Sequence, residues 1–308
     1  MTNVEYIIVT GASGFVGRNL INKLSYTKNK KFIFIYKSKK PIIFNKKLKN
    51  YILLKLDLTK KNNFKMLPKN NVTFFYHLAA DPKTFLSKDF INSQFTTNTM
   101  MAMNIAEYCD STNVKYLFFA SSVYVYSGIN KKKYKISDKT YPQEILGTSK
   151  LSSELILKSW SAFINTKIII LRFFTIYGQG ANKNQFIPST VQKIKNSKIS
   201  ITFIKNSITR DFIHIFDVIE IILKLSKKIE SFKDKFIILN IGNGKKIKVL
   251  SVIKYLLKII NPQLKIKLLA QKRKTIGDNS HCADISELKK IIDYEPKISI
   301  QDGLKKLI

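Results

Sequence analysis

The sequence predicts an α/β chain: a doubly wound parallel sheet with a smaller C-terminal lobe. Three observations predict it. Nearly unbroken apolar runs of strand length recur up to about residue 174, helix-length segments separate them, and a glycine-rich turn directly follows the first run. Apolar runs of this kind suit strands covered on both faces, and strand–helix alternation implies right-handed crossovers between parallel neighbours.

In chain order, YIIVT (6–10) is the first strand, and a glycine turn leads into a helix from about Gly14 to Leu24. FIFIY (32–36), YILLKLDL (51–58) and VTFFYHLAA (72–80) are the next strands. A helix from about Thr96 to Cys109 leads into the strand VKYLFFASS (114–122). A second, from Leu146 to Ile164, leads into TKIIILRFF (166–174). After Gly178 the rhythm changes to mixed loops and short helices, with SITRDFIHIFDVIEIILKL (207–225) as part of a lobe over the sheet edge. KFIILNIG (235–242) reads as a strand returning to the main sheet. The expected division is residues 1–177, with the returning strand near 235–242, and residues 178–308, interlaced and without a linker.

Composition bounds the function. With 308 residues, 45% hydrophobic and 12% aromatic, the chain has the make-up of a folded protein and not of a disordered one. Apolar runs such as IIIL (168–171) are too short to span a bilayer, and MTNVEYIIVTG enters a strand at once, so a cytoplasmic protein without a membrane partner is expected. Cys109 and Cys282 lie far apart and suit buried packing in a reducing compartment better than a disulfide or a metal site; no metal is expected. The formal charge of +34 invites a nucleic-acid reading. The lysines are spread along the whole chain instead of massed in one arm, which argues against a nucleic-acid partner. Against that lysine background only Arg18, Arg172, Arg210 and Arg273 are arginine, so each asks whether a planar bidentate donor was needed.

TGASGFVGRNL (10–20) sets Gly11, Gly14 and Gly17 between a strand and a helix. Glycines here allow a tight turn, close approach of backbone to a pyrophosphate, and close helix–strand packing; this is a dinucleotide loop. The second strand ends IYKSKK, where Lys37, Ser38 and Lys39 stand with no carboxylate. A cation at that position suits a ribose 2′-phosphate, which favours NADP over NAD.

With HLAA (77–80), Asn98, ASSVYVYS (120–127), GTSK (147–150), LRFFTIYG (171–178), TRDFIHIFDV (209–218), NIGNG (240–244) and YEPKISIQDGLKK (294–306), the loop resembles the extended short-chain dehydrogenase/reductase family over nearly the whole chain. These are Rossmann-fold nucleotide-sugar epimerases, dehydratases and reductases. The resemblance implies that Ser13, Phe15 and Val16 join the three glycines around the cofactor, that Asp57 and Leu58 face the adenine, and that Leu78, Ala79, Ala80 and Asn98 complete the cofactor site.

It also implies the reacting groups. Ser122 matches the serine that binds the sugar oxygen, and Lys150 the lysine that holds the nicotinamide ribose and lowers the pKa of a tyrosine four residues earlier. That tyrosine is replaced by Leu146, which cannot carry a proton. Either another side chain moves the proton, or turnover is slow with a tightly held cofactor, or the site only binds. Val123 and Tyr124 stand where 4,6-dehydratases of the family have Asp-Glu, which argues against that reaction. Tyr124 is either the substitute phenol or a packing group on the adenine or sugar; Tyr141 is a weaker candidate, and His77 and His214 read as structural.

On the substrate side, Arg210 matches the arginine that clamps a nucleotide diphosphate. Arg273 lies near a second phosphate position, which Lys272 or Lys274 can share. Thr175 replaces a usual asparagine, and Asp81, Lys83, Val123 and Leu146 line the sugar pocket. The expected activity is an NAD(P)-dependent oxidoreductase of a nucleoside-diphosphate sugar, with hydride transfer at C4; reduction, dehydrogenation and epimerisation remain open. The alternative is a dinucleotide-binding protein without turnover. Family members dimerise through the helices at about 98–109 and 147–163, which implies a homodimer.

Overall fold

The computed structural model describes residues 4–25, 28–81, 88–126, 133–205, 207–270 and 280–308. Lys83 and Arg273, with its neighbours Lys272 and Lys274, lie outside the described residues.

The chain forms two compact units. The first takes residues 1–127, 139–173 and 222–239, and the second takes 128–138, 174–221 and 240–308. In the first unit, β1 (Glu5–Thr10) leads to α1 (Phe15–Ile21), and β2 (Lys30–Tyr36), β3 (Tyr51–Lys55) and β4 (Val72–His77) follow. Then come α2 (Lys88–Thr112), β5 (Tyr116–Ser122), α3 (Ile145–Trp160) and β6 (Lys167–Phe173).

The sheet order is β3-β2-β1-β4-β5-β6, with a later strand, β11 (Phe236–Ile241), beside β6. Every neighbouring pair from β3 to β6 is parallel. This is the doubly wound dinucleotide-binding order, and its direction reverses between β1 and β4. The apolar runs account for it. Ile8, Phe34, Phe75, Phe118, Ile168 and Ile170 are all essentially inaccessible, because helices cover both faces.

Several predicted ends shift for identifiable reasons. The first helix stops at Ile21 and not at Leu24, because the Asn22 side chain turns back to accept from the amides of Phe44 and Asn45. The third and fourth strands end at Lys55 and His77; their predicted tails, 56–58 and 78–80, lie beyond the last ladder pairs with β2 and β1. The helix expected from Thr96 starts at Lys88. Its first turns carry only Phe90, Ile91 and Phe95 among polar residues, too few apolar positions to mark a helix start.

The second unit holds β7 (Thr175–Tyr177), α4 (Phe186–Asn196), β8 (Ser200–Lys205), β9 (Thr209–Arg210), β10 (Phe212–His214), β12 (Ile247–Lys248), α6 (Val249–Ile260), β13 (Lys265–Ala270), α7 (Ser286–Ile292) and α8 (Ile300–Lys305). The helix α5 (Ile215–Lys228) runs from this unit into the first. Three two-stranded sheets, β7–β10, β9–β12 and β8–β13, form, most of their strands in the stretch after Gly178 that the sequence read as mixed loops and short helices. Leu256, Ile194, Phe212 and Leu304 anchor a separate core.

Candidate active site

At the turn after β1, Gly11 adopts a positive φ of 64°, and a Cβ there would lie 2.7 Å from the Ala79 amide nitrogen. The loop therefore runs directly against the backbone leaving β4. Gly17 is tighter: its Cβ would sit 2.1 Å from the Gly11 carbonyl oxygen. Only glycine lets the first turn of α1 press onto the loop, which leaves the backbone bare for a pyrophosphate. This cradle lies at the sheet's switch point, so the loop residues fit a dinucleotide. Ser13, Phe15 and Val16 are half-buried beside the glycines. Thr10 ties the two strand ends together: its hydroxyl bonds His77 Nδ1 at 2.8 Å and accepts from the Ala79 amide at 3.2 Å.

Further along the strand ends, the Asp57 carboxylate accepts from the Thr59 amide and hydroxyl, and Lys37 Nζ pairs with it at 3.0 Å. Partial burial opposes its charge, but the Thr59 bonds and Lys37 outweigh that and hold the carboxyl below its ordinary range. Lys37, the basis for favouring NADP, thus has an intramolecular carboxylate partner. Leu58 packs into the core, and Leu78, Ala79, Ala80 and Asp81 are half-buried along the exit from β4. Asn98, expected at the cofactor, is 2% exposed and braces the site from behind. Its carbonyl oxygen accepts from the Asp81 amide at 3.0 Å, and its amide nitrogen donates to Ser149 Oγ at 2.9 Å.

The residues expected to react lie where β5 meets α3. Ser122 closes β5, and its Oγ accepts from the Tyr124 amide at 3.3 Å, capping a single 3₁₀ turn over Val123–Val125. Val123 is buried and Tyr124 half-buried. The start of α3 is pressed onto this turn: a Cβ at Gly147 would meet the Tyr124 carbonyl oxygen at 2.0 Å. That contact sets Leu146 and Lys150, one helical turn apart, beside the strand end. Lys150 is 4% exposed, with its Nζ 4.8 Å from the centre of the Phe119 ring. Burial pulls its pKa from 10.5 down to about 8, partly offset by Glu154.

A group the sequence reading left without a role braces this corner. Arg172 makes a buried bidentate pair with Glu154, Nη2 to Oε2 at 2.6 Å and Nε to Oε1 at 3.1 Å. Its Nη1 donates to the Tyr126 hydroxyl at 3.0 Å, and Ser121 Oγ donates to Glu154 Oε1. β5, β6, α3 and the turn after Ser122 are thereby fixed together. The scarcity of arginine was the available signal, since a buried bidentate pair needs a planar fork. His77 is buried and held well below its ordinary pKa by burial and by Lys150, so it stays neutral as a structural partner of Thr10.

In the second unit, Thr175 is half-buried on β7, in register with Phe212. Arg210 is half-buried on β9, in register with Ile247, and donates to the Thr209 carbonyl at 3.3 Å. Beside it Asp211 is fully buried and accepts from the amides of Asn243, Gly244 and Ala283. This staple fixes the strand that carries Arg210. His214 is buried between the rings of Tyr177 and Phe216 and accepts from the Phe216 amide, a structural role.

The model of the NAD dependent epimerase/dehydratase family matches residues 7–242. The chain is 28% identical to an uncharacterized UDP-glucose epimerase of Bacillus subtilis, covering 97% of this chain and 95% of that protein. It is 25% identical to UDP-glucuronate 4-epimerase of Thermodesulfobacterium geofontis, over 85% of this chain and 80% of that one. Among solved structures, a UDP-glucuronic acid 4-epimerase variant from Bacillus cereus, in complex with a UDP-4-deoxy-4-fluoro sugar and NAD, superposes with a TM-score of 0.83 at 25% identity, covering 98% and 97% of the two chains. Such complexes contain NAD, and none of these relatives supports the NADP expectation drawn from Lys37.

Proposed function

The chain belongs to the NAD dependent epimerase/dehydratase family, and from that we propose that it is an NAD-dependent 4-epimerase of a nucleoside-diphosphate sugar. The observation that supports the reading is the close packing of the start of α3, which carries the buried Lys150, on the turn that follows Ser122, in the same unit as the glycine cradle. Bound NAD would supply the acceptor and donor of hydride.

The chain's own groups do the rest. The backbone bared at Gly11 and Gly17 receives the pyrophosphate, and Asp57 takes the adenine end. Ser122, whose oxygen already accepts from the Tyr124 amide, directs its own proton at the sugar C4 oxygen. Lys150 holds the nicotinamide ribose. Tyr124 and Leu146 flank the sugar with Val123 and Asp81. UDP sugars are favoured because the epimerase relatives carry that nucleotide in their names. NAD is favoured over NADP because Lys37 is paired with Asp57. A homodimer is part of the proposal, since α2 and α3 expose apolar side chains at Phe95, Met103 and Leu155.

Leu146 favours a second reading, a dinucleotide-binding protein without turnover. One experiment separates the two. The purified protein is denatured, any released dinucleotide is identified, and the native protein is then given NAD with a panel of UDP sugars. Appearance of a C4 epimer supports the enzyme; bound NAD with no epimer from any sugar supports the second reading.

A further inference from the structure

We infer that the Lys150 amine itself carries the proton that a tyrosine at position 146 would otherwise carry. The inference rests on the epimerase reading above and names the proton carrier of that site.

The geometry leads there. Replacing a phenol by leucine leaves the amine one helical turn away as the nearest ionisable group on the same face of α3. The Lys150 side chain is 4% exposed, its nitrogen lies over the Phe119 ring, and none of the described residues accepts a hydrogen bond from it. Two titratable groups face it. Glu154, one turn further along α3, is already engaged by Arg172 and Ser121, so little of its charge remains for the amine. His77, on β4, is neutral and bonded to Thr10. An ammonium in such surroundings is poorly solvated and weakly paired, so its neutral form is accessible near physiological pH; burial brings the titration to about 8. A group titrating there is suited to both taking and returning a proton.

The step balances. Neutral Lys150 takes the proton of the C4 hydroxyl and becomes an ammonium, while bound NAD would supply the acceptor for the C4 hydrogen and its electron pair, leaving a C4 carbonyl. On the return the ammonium gives its proton to the C4 oxygen, and the reduced cofactor would give the hydride back to the opposite face of C4. The form that starts the cycle has a neutral amine, so kcat/KM rises with pH through about 8 and then levels.

Two measurements on the full chain test this. In the first, ¹³C-lysine NMR follows the Lys150 Cε signal, assigned with Lys150→Arg, as pH is raised with and without NAD. A midpoint near 8 is expected, and one above 10 overturns the inference. The second compares variants on whichever UDP sugar is turned over. Lys150→Arg keeps a cation but cannot release a proton, so it is expected to bind NAD within a few-fold of wild type while turnover falls about 10²–10⁴-fold. Tyr124→Phe is expected to slow the reaction yet keep the inflection near pH 8. Undiminished turnover in Lys150→Arg, or an inflection that vanishes in Tyr124→Phe, overturns the assignment. A wild-type protein that epimerises no sugar while its amine titrates near 8 overturns the epimerase reading instead. A wild type that epimerises while its amine titrates above 10 overturns this inference alone.

Discussion

Burying a lysine without a dedicated counterion is destabilising, and the sign of its pH dependence follows from the shift. The folded-state pKa of Lys150 lies near 8, below its ordinary 10.5. Between those values the unfolded chain holds a proton that the folded chain has released, so stability rises as pH climbs through that window. Below pH 8 the full penalty applies, about 3 kcal/mol from the size of the shift. Lys150→Met is therefore expected to be more stable than wild type by about that amount at pH 7, with the gain mostly gone near pH 11. Urea unfolding at the two pH values checks it, and an equal gain at both would contradict it. Such a residue is kept against its stability cost, which fits a chemical role. Gly17 gives a second residue-scale test. A Cβ there overlaps the Gly11 carbonyl, so Gly17→Ala is expected to lose about 1–3 kcal/mol and most NAD affinity by calorimetry.

α3 carries both Lys150 and, one turn on, the carboxylate that locks the helix to β5 and β6. Breaking the buried pair from either side leaves an uncompensated charge. Arg172→Met or Glu154→Gln is expected to cost about 3–5 kcal/mol, and the double variant less than the two singles together, as a double-mutant unfolding cycle would show. A double variant that loses the full sum would mean that the pair is not coupled. The proposed dimer belongs to the same element. Glutamates at Met103 and Leu155 are expected to turn a sedimenting dimer into a monomer; a wild-type monomer would contradict the proposal. At this scale the sequence was legible wherever burial alone dictates pattern. β1, β2, β4, β5 and β6 are continuous apolar runs with bulk on both faces, and their central residues were all identified. The short ladders β7–β10 and β9–β12 were not, because two or three residues carry no period and their pairing is decided by distant chain. The start of α2 was missed for a related reason: its first turns carry only Phe90, Ile91 and Phe95 as apolar positions, too few to set a period.

For the molecule as a whole, a formal charge of +34 means that self-repulsion opposes compaction. Raising salt from about 0.05 to 0.5 M is expected to raise the Tm, since the Debye length falls well below the protein's diameter. A Tm that falls with sodium chloride would contradict this. The site was legible in proportion to how local its logic is. Gly11 and Gly17 could be read because a tight turn needs missing side chains at fixed spacing, and the contacts at both leave no room for a Cβ; Lys150 and Ser122 were singled out only by the motifs around them. The pairing of Lys37 with Asp57 was not legible, since it joins the ends of two adjacent strands and no spacing encodes it. Arg172 and Glu154 are eighteen residues apart and meet only through the fold. The charge state of Lys150 depends likewise on its burial over Phe119 and on a carboxylate already committed to another cation.

The central claim is that these groups surround a C4 carbon undergoing reversible hydride loss. The most direct measurement uses a UDP sugar, of the kind found to be turned over, carrying deuterium at C4, incubated with the protein and NAD in ordinary water. NMR of the products is predicted to show the C4 epimer with deuterium retained at C4. An epimer whose C4 deuterium has exchanged with solvent, or no epimer alongside bound NAD, would contradict it.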